Sequence, residues 1–100
     1  MKLLIQEIRR HLPKLRATDG EKDPIVQVKF FTPDSSWTWY ATEFDGEDLF
    51  FGLVDGLDEE LGYFSLRELA STRGPMGLAI ERDKWFTPAP LSKFRKRGAE

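Results

Sequence analysis

The chain contains no cysteine, a single histidine and no long apolar run. Without cysteine it has no disulfide scaffold, no iron–sulfur or thiolate zinc site and no cysteine nucleophile. One histidine, His11, excludes metal sites built from several imidazoles. A membrane-spanning helix needs about 18 consecutive apolar residues, and the N-terminal segment is charged again at Glu7, unlike a signal peptide. The sequence therefore predicts a soluble, cytoplasmic protein with no metal, no cofactor and no membrane contact.

Basic residues are absent from a long central segment. Residues 1–29 carry seven basic and four acidic groups, residues 30–66 carry nine acidic groups and no lysine or arginine, and residues 67–100 carry eight basic and four acidic groups. The net charge of −2 thus conceals a central charge of −9 between ends of +3 and +4. Two interpretations stay open: a solvated sheet edge balanced by nearby cations, or one acidic surface that meets a basic partner.

The length of the chain is that of one small domain. It has 100 residues, of which 40% are apolar and 13% are aromatic, and this is enough for a single packed core. We expect one α+β domain over residues 1–92. The basic segment 93–100 is expected to form a flexible C-terminal tail.

Hydrophobic periodicity predicts the order α-β-β-β-α-β, with a small antiparallel sheet and its helices on one face. The first helix should end near His11, because Pro13 disfavours helical geometry in the residue before it. Ser65 followed by Glu68 matches a capping box and predicts the start of the second helix. Gly52 lies inside a strand, where glycine indicates a bulge or a close backbone approach. The strands are predicted at 25–31, 37–44, 49–54 and 78–86, with a further short extended segment at 61–64.

Several short motifs follow one another in a recognisable order along the chain. They are Phe30-Phe31-Thr32-Pro33-Asp34, Thr38-Trp39, Thr42-Glu43, Phe51-Gly52-Leu53, Glu60-Leu61-Gly62-Tyr63, Ser65-Leu66, Arg73-Gly74, Gly77-Leu78 and Glu81-Arg82-Asp83. Their order and spacing resemble the bacterial family catalogued as domain of unknown function 2958. The resemblance implies a small cytoplasmic bacterial protein of a kind often encoded on plasmids and integrated mobile elements. It implies no particular reaction.

Catalytic chemistry finds little support in the sequence. A serine nucleophile needs a base within hydrogen-bond reach, and His11 is the only histidine. No serine lies in a Gly-x-Ser-x-Gly turn, and the acidic clusters lack the spacing of a calcium-binding loop. We therefore predict no catalytic residue and no metal ligand, and we favour a non-enzymatic protein without excluding an enzyme.

The expected function is that of an accessory protein that acts through protein–protein contacts, in a mobile-element context. The contact surface is predicted on the acidic and aromatic central hairpins, next to the charged residues of the last strand. The residues assigned to binding are Trp37, Trp39, Glu43, Asp55, Glu60, Tyr63, Arg82 and Asp83.

Two alternatives use other parts of the chain. The first is weak, sequence-independent nucleic-acid binding through the basic tail, at Lys93, Arg95, Lys96 and Arg97. The second is a small-molecule or enzymatic pocket lined by Glu43, Arg82, Asp83 and Tyr63. In that pocket a covered Glu43 needs a partner, because an unpaired buried charge is very costly. Arg82 is the natural candidate through a bidentate ion pair.

Overall fold

Most of the strands belong to one antiparallel sheet of five strands. The computed structural model describes residues 1–96. The strands of the sheet lie in the order β5-β4-β3-β2-β6, and β1 pairs separately with β7. In chain order the elements are α1 Gln6–His11, β1 Ile25–Val26, β2 Val28–Phe31, β3 Thr38–Phe44, β4 Leu49–Asp55, β5 Glu59–Ser65, α2 Leu66–Ser71, β6 Glu81–Arg82, β7 Ala89–Pro90 and a 3₁₀-helix at Leu91–Phe94.

The predicted α+β class with a small antiparallel sheet is confirmed. The bounds of three predicted extended segments differ from those in the structure. The extended segment after β4 is the full seven-residue strand β5. The predicted strand 25–31 divides at Gln27, whose N–H donates to the Ala41 carbonyl at 2.9 Å. The predicted strand 78–86 keeps only the two residues of β6. It ends there because Asp83 Oδ1 accepts the Trp85 N–H at 2.9 Å and turns the chain.

Both faces of the sheet are covered by apolar clusters. The helices α1 and α2 lie on one face, as predicted, and the 3₁₀-helix lies on the other. The helix-covered cluster contains Leu3, Leu4, Leu12, Val28, Phe30, Trp39, Ala41, Phe44, Phe50, Phe64, Leu69 and Ile80. The second cluster contains Val26, Leu53 and Leu91, with Tyr40, Phe86 and Phe94 packed against it. Burial of the aromatic side chains in these clusters removes a large apolar area from water.

The two helices are short, and each has a local cause for its ends. Helix α1 ends at His11, as predicted, with Leu12 extended and buried beyond it. Ser65 caps α2, because its hydroxyl accepts the Glu68 N–H at 3.2 Å. Each helix has six residues, and within residues 1–96 no helix is long and apolar enough to span a membrane.

A bulge in β3 explains the glycine at position 52. The register between β3 and β4 shifts between Ala41 and Glu43. A Cβ at Gly52 would overlap the carbonyl oxygen of Tyr40 and lie 3.0 Å from the Cα of Ala41. The predicted close backbone approach at Gly52 is thus confirmed. Gly62 lies directly opposite on β5, where a Cβ would meet no atom within 4 Å.

Candidate functional site

Strand β5 forms one edge of the five-stranded sheet, and within residues 1–96 no strand pairs with its outer side. It contains neither lysine nor proline, the residues that often protect such edges. The opposite edge strand, β6, has only two residues and is therefore too short to pair extensively with another strand. Strand β5 is therefore the longest unpaired edge in the described part of the chain.

The hydrogen-bond pattern of the β4–β5 hairpin shows which backbone groups of β5 face outward. At one end the Gly56 N–H donates to the Asp58 carbonyl at 3.1 Å, and at the other the Leu66 N–H donates to the Asp48 carbonyl at 2.8 Å. Even-numbered residues therefore face across the hairpin, and odd-numbered residues face away from it, because the two directions alternate along an antiparallel strand. The backbone N–H and C=O groups of Leu61 and Tyr63 point away from the sheet.

The side chains of the same two residues add an apolar surface to this edge. Leu61 is 46% exposed and Tyr63 is 58% exposed. The Tyr63 ring meets the half-buried Phe51 ring edge to face, with 5.0 Å between the ring centroids. Exposed apolar side chains therefore lie beside free backbone donors and acceptors, a combination that suits pairing with another strand.

Seven of the nine acidic residues of the segment 30–66 divide between the two ends of β4. Asp45, Glu47 and Asp48 lie at the β3–β4 turn, whereas Asp55, Asp58, Glu59 and Glu60 lie at the β4–β5 turn. Seven strand residues separate the two groups by about 20 Å. The single acidic surface expected from the sequence is thus two surfaces, and only the second adjoins the open edge of β5.

The acids at the β3–β4 turn bind backbone groups of their own region. Asp45 Oδ1 accepts the N–H groups of Glu47, Asp48 and Leu49 at 2.8 to 3.0 Å. Asp48 accepts the Ser65 hydroxyl at 2.6 Å and the Arg67 N–H at 2.8 Å. These bonds lower the pKa of both carboxyls. This cluster therefore stabilises the turn and the start of α2.

Glu43 lies in the interior and binds the segment before β1 rather than Arg82. It is 3% exposed. Its Oε1 accepts the Arg16 N–H at 2.7 Å, and its Oε2 accepts both the Thr18 N–H at 2.9 Å and the Thr18 hydroxyl. Burial raises the pKa of Glu43, but these three hydrogen bonds outweigh burial and hold the pKa below its usual value. The predicted ion pair with Arg82 is wrong, since two backbone N–H groups and one hydroxyl stabilise the charged carboxylate.

The two tryptophans assigned to the surface have different environments. Trp39 is buried in the helix-covered cluster. Trp37 is partly exposed and lies against the backbone of Gly56, where any side chain would overlap the indole ring. Of the pair, only Trp37 remains available at the β4–β5 end of the sheet.

The basic C-terminal segment packs on the sheet as far as the structure describes it. The Phe94 ring stacks on Tyr40 with 4.8 Å between centroids. Arg95 Nε lies 3.7 Å from Glu59 Oε1, Lys96 Nζ lies 3.2 Å from Asp55 Oδ2, and the Lys96 N–H donates to Glu59 Oε2 at 2.7 Å. Residues 93–96 therefore contact the domain, and the rest of the predicted tail 93–100 lies outside the described residues.

The ion pairs of Arg95 and Lys96 neutralise Glu59 and Asp55 at the β4–β5 turn, next to the half-buried phenol of Tyr40. Burial, together with the charges of Asp55 and Glu59, raises the pKa of Tyr40. Asp58 and Glu60 are exposed and form no ion pair within residues 1–96. The acidic charge that remains accessible at this end therefore belongs to those two residues.

We expect Arg95→Gln with Lys96→Gln to lower the free energy of unfolding by about 1 kcal/mol, since partly exposed ion pairs contribute little each. The loss should shrink as salt is added, because the surviving interactions are apolar. Lys93→Gln is the matched control, because Lys93 is exposed and forms no ion pair within residues 1–96. Urea unfolding at two salt concentrations measures both effects, and equal losses in the two variants would contradict a stabilising role of the Arg95–Glu59 and Lys96–Asp55 ion pairs.

The nucleic-acid alternative loses part of its basis in this arrangement. Of its four cations, Arg95 and Lys96 are engaged with Glu59 and Asp55. Lys93 is exposed, and Arg97 lies outside the described residues. Each engaged cation would have to leave a carboxylate before it could contact a phosphate.

The predicted pocket of four residues is not assembled. Tyr63 lies on β5 at one edge of the sheet, Arg82 lies on β6 at the other, and Glu43 is in the interior. Arg82 Nη1 donates to the Lys2 carbonyl at 2.5 Å, and Asp83 Oδ2 lies 3.7 Å from Lys29 Nζ. Arg82 and Asp83 do line a cleft together, but its other residues come from the α1 region, from Gln27 and Val28, and from the segment after β6, and neither Glu43 nor Tyr63 is among them.

The sequence analysis missed Leu61 and Glu59. The signal available was the alternation of Glu59, Leu61 and Tyr63 on one face of an extended segment. The sequence predicts only a short extended segment at 61–64, and Gly62 within it has low strand propensity. Within residues 1–96, no group of three or more histidine, aspartate or glutamate side chains is arranged to hold a metal ion.

Comparison with known proteins gives one match. No curated protein and no solved structure matches the chain. A family profile, described as a protein of unknown function (DUF2958), matches residues 3–100. Since this match covers nearly the whole sequence, the chain belongs to the DUF2958 family.

Proposed function

We propose that the protein is a protein-interaction module whose strand β5 pairs with an extended segment of a partner protein. The observation that carries the proposal is the seven-residue outer edge of β5, which no strand of the described chain covers. Leu61 and Tyr63 supply the outward backbone groups for the new ladder. Their exposed side chains, with Phe51, supply an apolar surface for alternate residues of the incoming strand.

The charge around this edge supports a basic partner segment. Asp58 and Glu60 are exposed at the beginning of β5, and no lysine or arginine occurs between residues 30 and 66. Opposite charges favour encounter and set the direction in which a strand docks. The partner is therefore an extended segment in which apolar and basic residues alternate.

The cellular setting belongs to the same proposal and is supported by the sequence resemblance. A bacterial, cytoplasmic, non-enzymatic accessory role fits a small module that offers one strand edge to a larger protein. The resemblance also supports a mobile-element setting.

A synthetic decapeptide of alternating valine and lysine tests the proposal by fluorescence anisotropy. We expect it to bind, and we expect a decapeptide of alternating valine and glutamate not to bind. Tyr63→Pro should weaken binding about tenfold or more, because it removes an outward N–H that the ladder needs. Proline is tolerated on an edge strand when its nitrogen faces outward, so the fold should persist.

Charge reversal at two matched positions tests whether peptide binding depends on the β5 edge in particular. Glu60→Lys should weaken lysine-peptide binding about fivefold or more, since it replaces an attraction by a repulsion. Glu47→Lys makes the same change on an exposed acid at the opposite end of β4 and should have no effect. Equal effects of both variants would contradict the proposal. A dimer that Tyr63→Pro converts to a monomer would assign the edge to a second copy instead, and would also contradict it.

A further inference from the structure

A cleft lies at the side of the sheet opposite β5, between α1 and the segment that follows β6. Its volume is about 560 Å³, within the usual range of small-molecule sites, about 300 to 1,000 Å³. Five apolar side chains line it: Ile5, Ile8, Val28, Phe86 and Pro88. It opens beside the first residues of β2, since β6 pairs only with Phe30 and Phe31.

Polar and charged side chains of two regions line this cleft together with its apolar floor. Glu7 and His11 come from α1, four residues apart and therefore on one face of the helix. Arg82, Asp83 and Lys84 come from the opposite wall. A cleft with an apolar floor and a few convergent polar groups has the general composition of a ligand site.

The charge that remains accessible on the β6 wall is positive. Asp83 is already engaged, because its Oδ2 lies 3.7 Å from Lys29 Nζ and its Oδ1 accepts the Trp85 N–H at 2.9 Å. Within residues 1–96 the Arg82 guanidinium forms one hydrogen bond, from Nη1 to the Lys2 carbonyl, which leaves its other N–H groups for a ligand. Lys84 is exposed and forms no ion pair within residues 1–96.

We propose that this cleft binds a small organic monoanion, an aromatic carboxylate, with its carboxylate at Arg82 and Lys84 and its ring over Ile5, Ile8 and Phe86. The planar guanidinium of Arg82 matches the geometry of a carboxylate, and Lys84 adds a second charge. Glu7 on the facing wall disfavours a second negative group, so a phosphate dianion should bind less well. This site is separate from β5 and does not depend on strand pairing there.

Three probes that share one ring system test the class of ligand. They are 1-naphthoate, the neutral 1-naphthalenemethanol and the dianionic 1-naphthyl phosphate, each titrated into the full chain and followed by amide chemical shifts. We expect saturable shifts at residues 5–11 and 82–88 with naphthoate, and at least fivefold weaker binding of the other two probes. Equal binding of the neutral probe would overturn the role of the cations, and scattered or unsaturable shifts would overturn the site.

Two lysine variants and one glutamate variant assign the charges. Lys84→Gln should weaken naphthoate binding about threefold to tenfold, whereas Lys22→Gln, an exposed lysine outside the cleft, should leave it unchanged. Glu7→Gln should tighten binding of 1-naphthyl phosphate more than binding of naphthoate. Both glutamine substitutions in the cleft affect exposed side chains, so the fold should be kept, and the amide spectrum checks this. A Lys84→Gln variant with unchanged affinity would contradict the proposal.

Discussion

Replacing Gly52 with alanine should destabilise the fold by about 3 kcal/mol or more, since an inserted methyl in a packed interior forces the backbone to move. The new Cβ would overlap the Tyr40 carbonyl oxygen, a backbone atom in the neighbouring strand. The bulge that separates Ala41 from Glu43 leaves no room for β3 to retreat without breaking its ladder with β4. A loss of this size is a large share of the free energy of unfolding of an ordinary domain, which is roughly 5 to 15 kcal/mol.

Gly62→Ala is the matched control, because Gly62 is the register partner of Gly52. No atom lies within 4 Å of the position that its Cβ would take. Alanine there should be neutral or stabilise by up to about 1 kcal/mol, since it restricts the unfolded chain. Urea unfolding of both variants, with unchanged slopes, measures the difference. Similar losses at the two glycines would contradict the close approach at Gly52.

Glu43→Gln should lower the free energy of unfolding by about 2 to 4 kcal/mol, because hydrogen bonds to a charged group contribute more than neutral ones. The carboxylate accepts three bonds from Arg16 and Thr18. An amide has one acceptor oxygen, and its NH₂ group would face donors. Glu60→Gln is the control on an exposed acid and should change stability by less than about 0.5 kcal/mol. Thermal and urea unfolding of both variants measure the effect.

The same carboxylate should make stability depend on pH in a defined direction. The folded pKa of Glu43 lies below its ordinary value of 4.5. Its contribution to stability is therefore complete above pH 4.5 and is lost as the pH falls through the lower folded pKa. Glu43→Gln should reduce the acid slope of stability without abolishing it, because the pKa values of Asp45 and Asp48 are also lowered. Parallel acid slopes in the variant and the original chain would contradict this assignment.

The elements that the sequence predicts well are those with local causes. Strands β3 and β4 follow alternating or continuous apolar runs between turn residues, and both lie within a residue of their predicted bounds. Ser65 caps α2 through a bond three residues along the chain. Strand β5 was only a weak prediction, because Gly62 lowers its intrinsic strand tendency and its pairing with β4 decides the outcome.

The candidate site depended on contacts that composition does not reveal. The sequence indicated that a covered Glu43 needs a partner, but the partner is the backbone of Arg16 and Thr18, more than twenty residues away. The run of acids in segment 30–66 did not reveal that β4 separates seven of the nine into two groups. Nor did it show that Arg95 and Lys96 return to the second group, since such long-range pairing is set by the fold.

Amide hydrogen exchange of the full chain, with and without saturating valine–lysine peptide, tests the strand-pairing role most directly. In the free protein the outward amides of Leu61 and Tyr63 should exchange rapidly, while that of Gly62 is protected by β4. The account predicts that the peptide slows exchange at Leu61 and Tyr63, because both amides become donors in a new ladder. Peptide binding that leaves these two amides as exposed as before would contradict it.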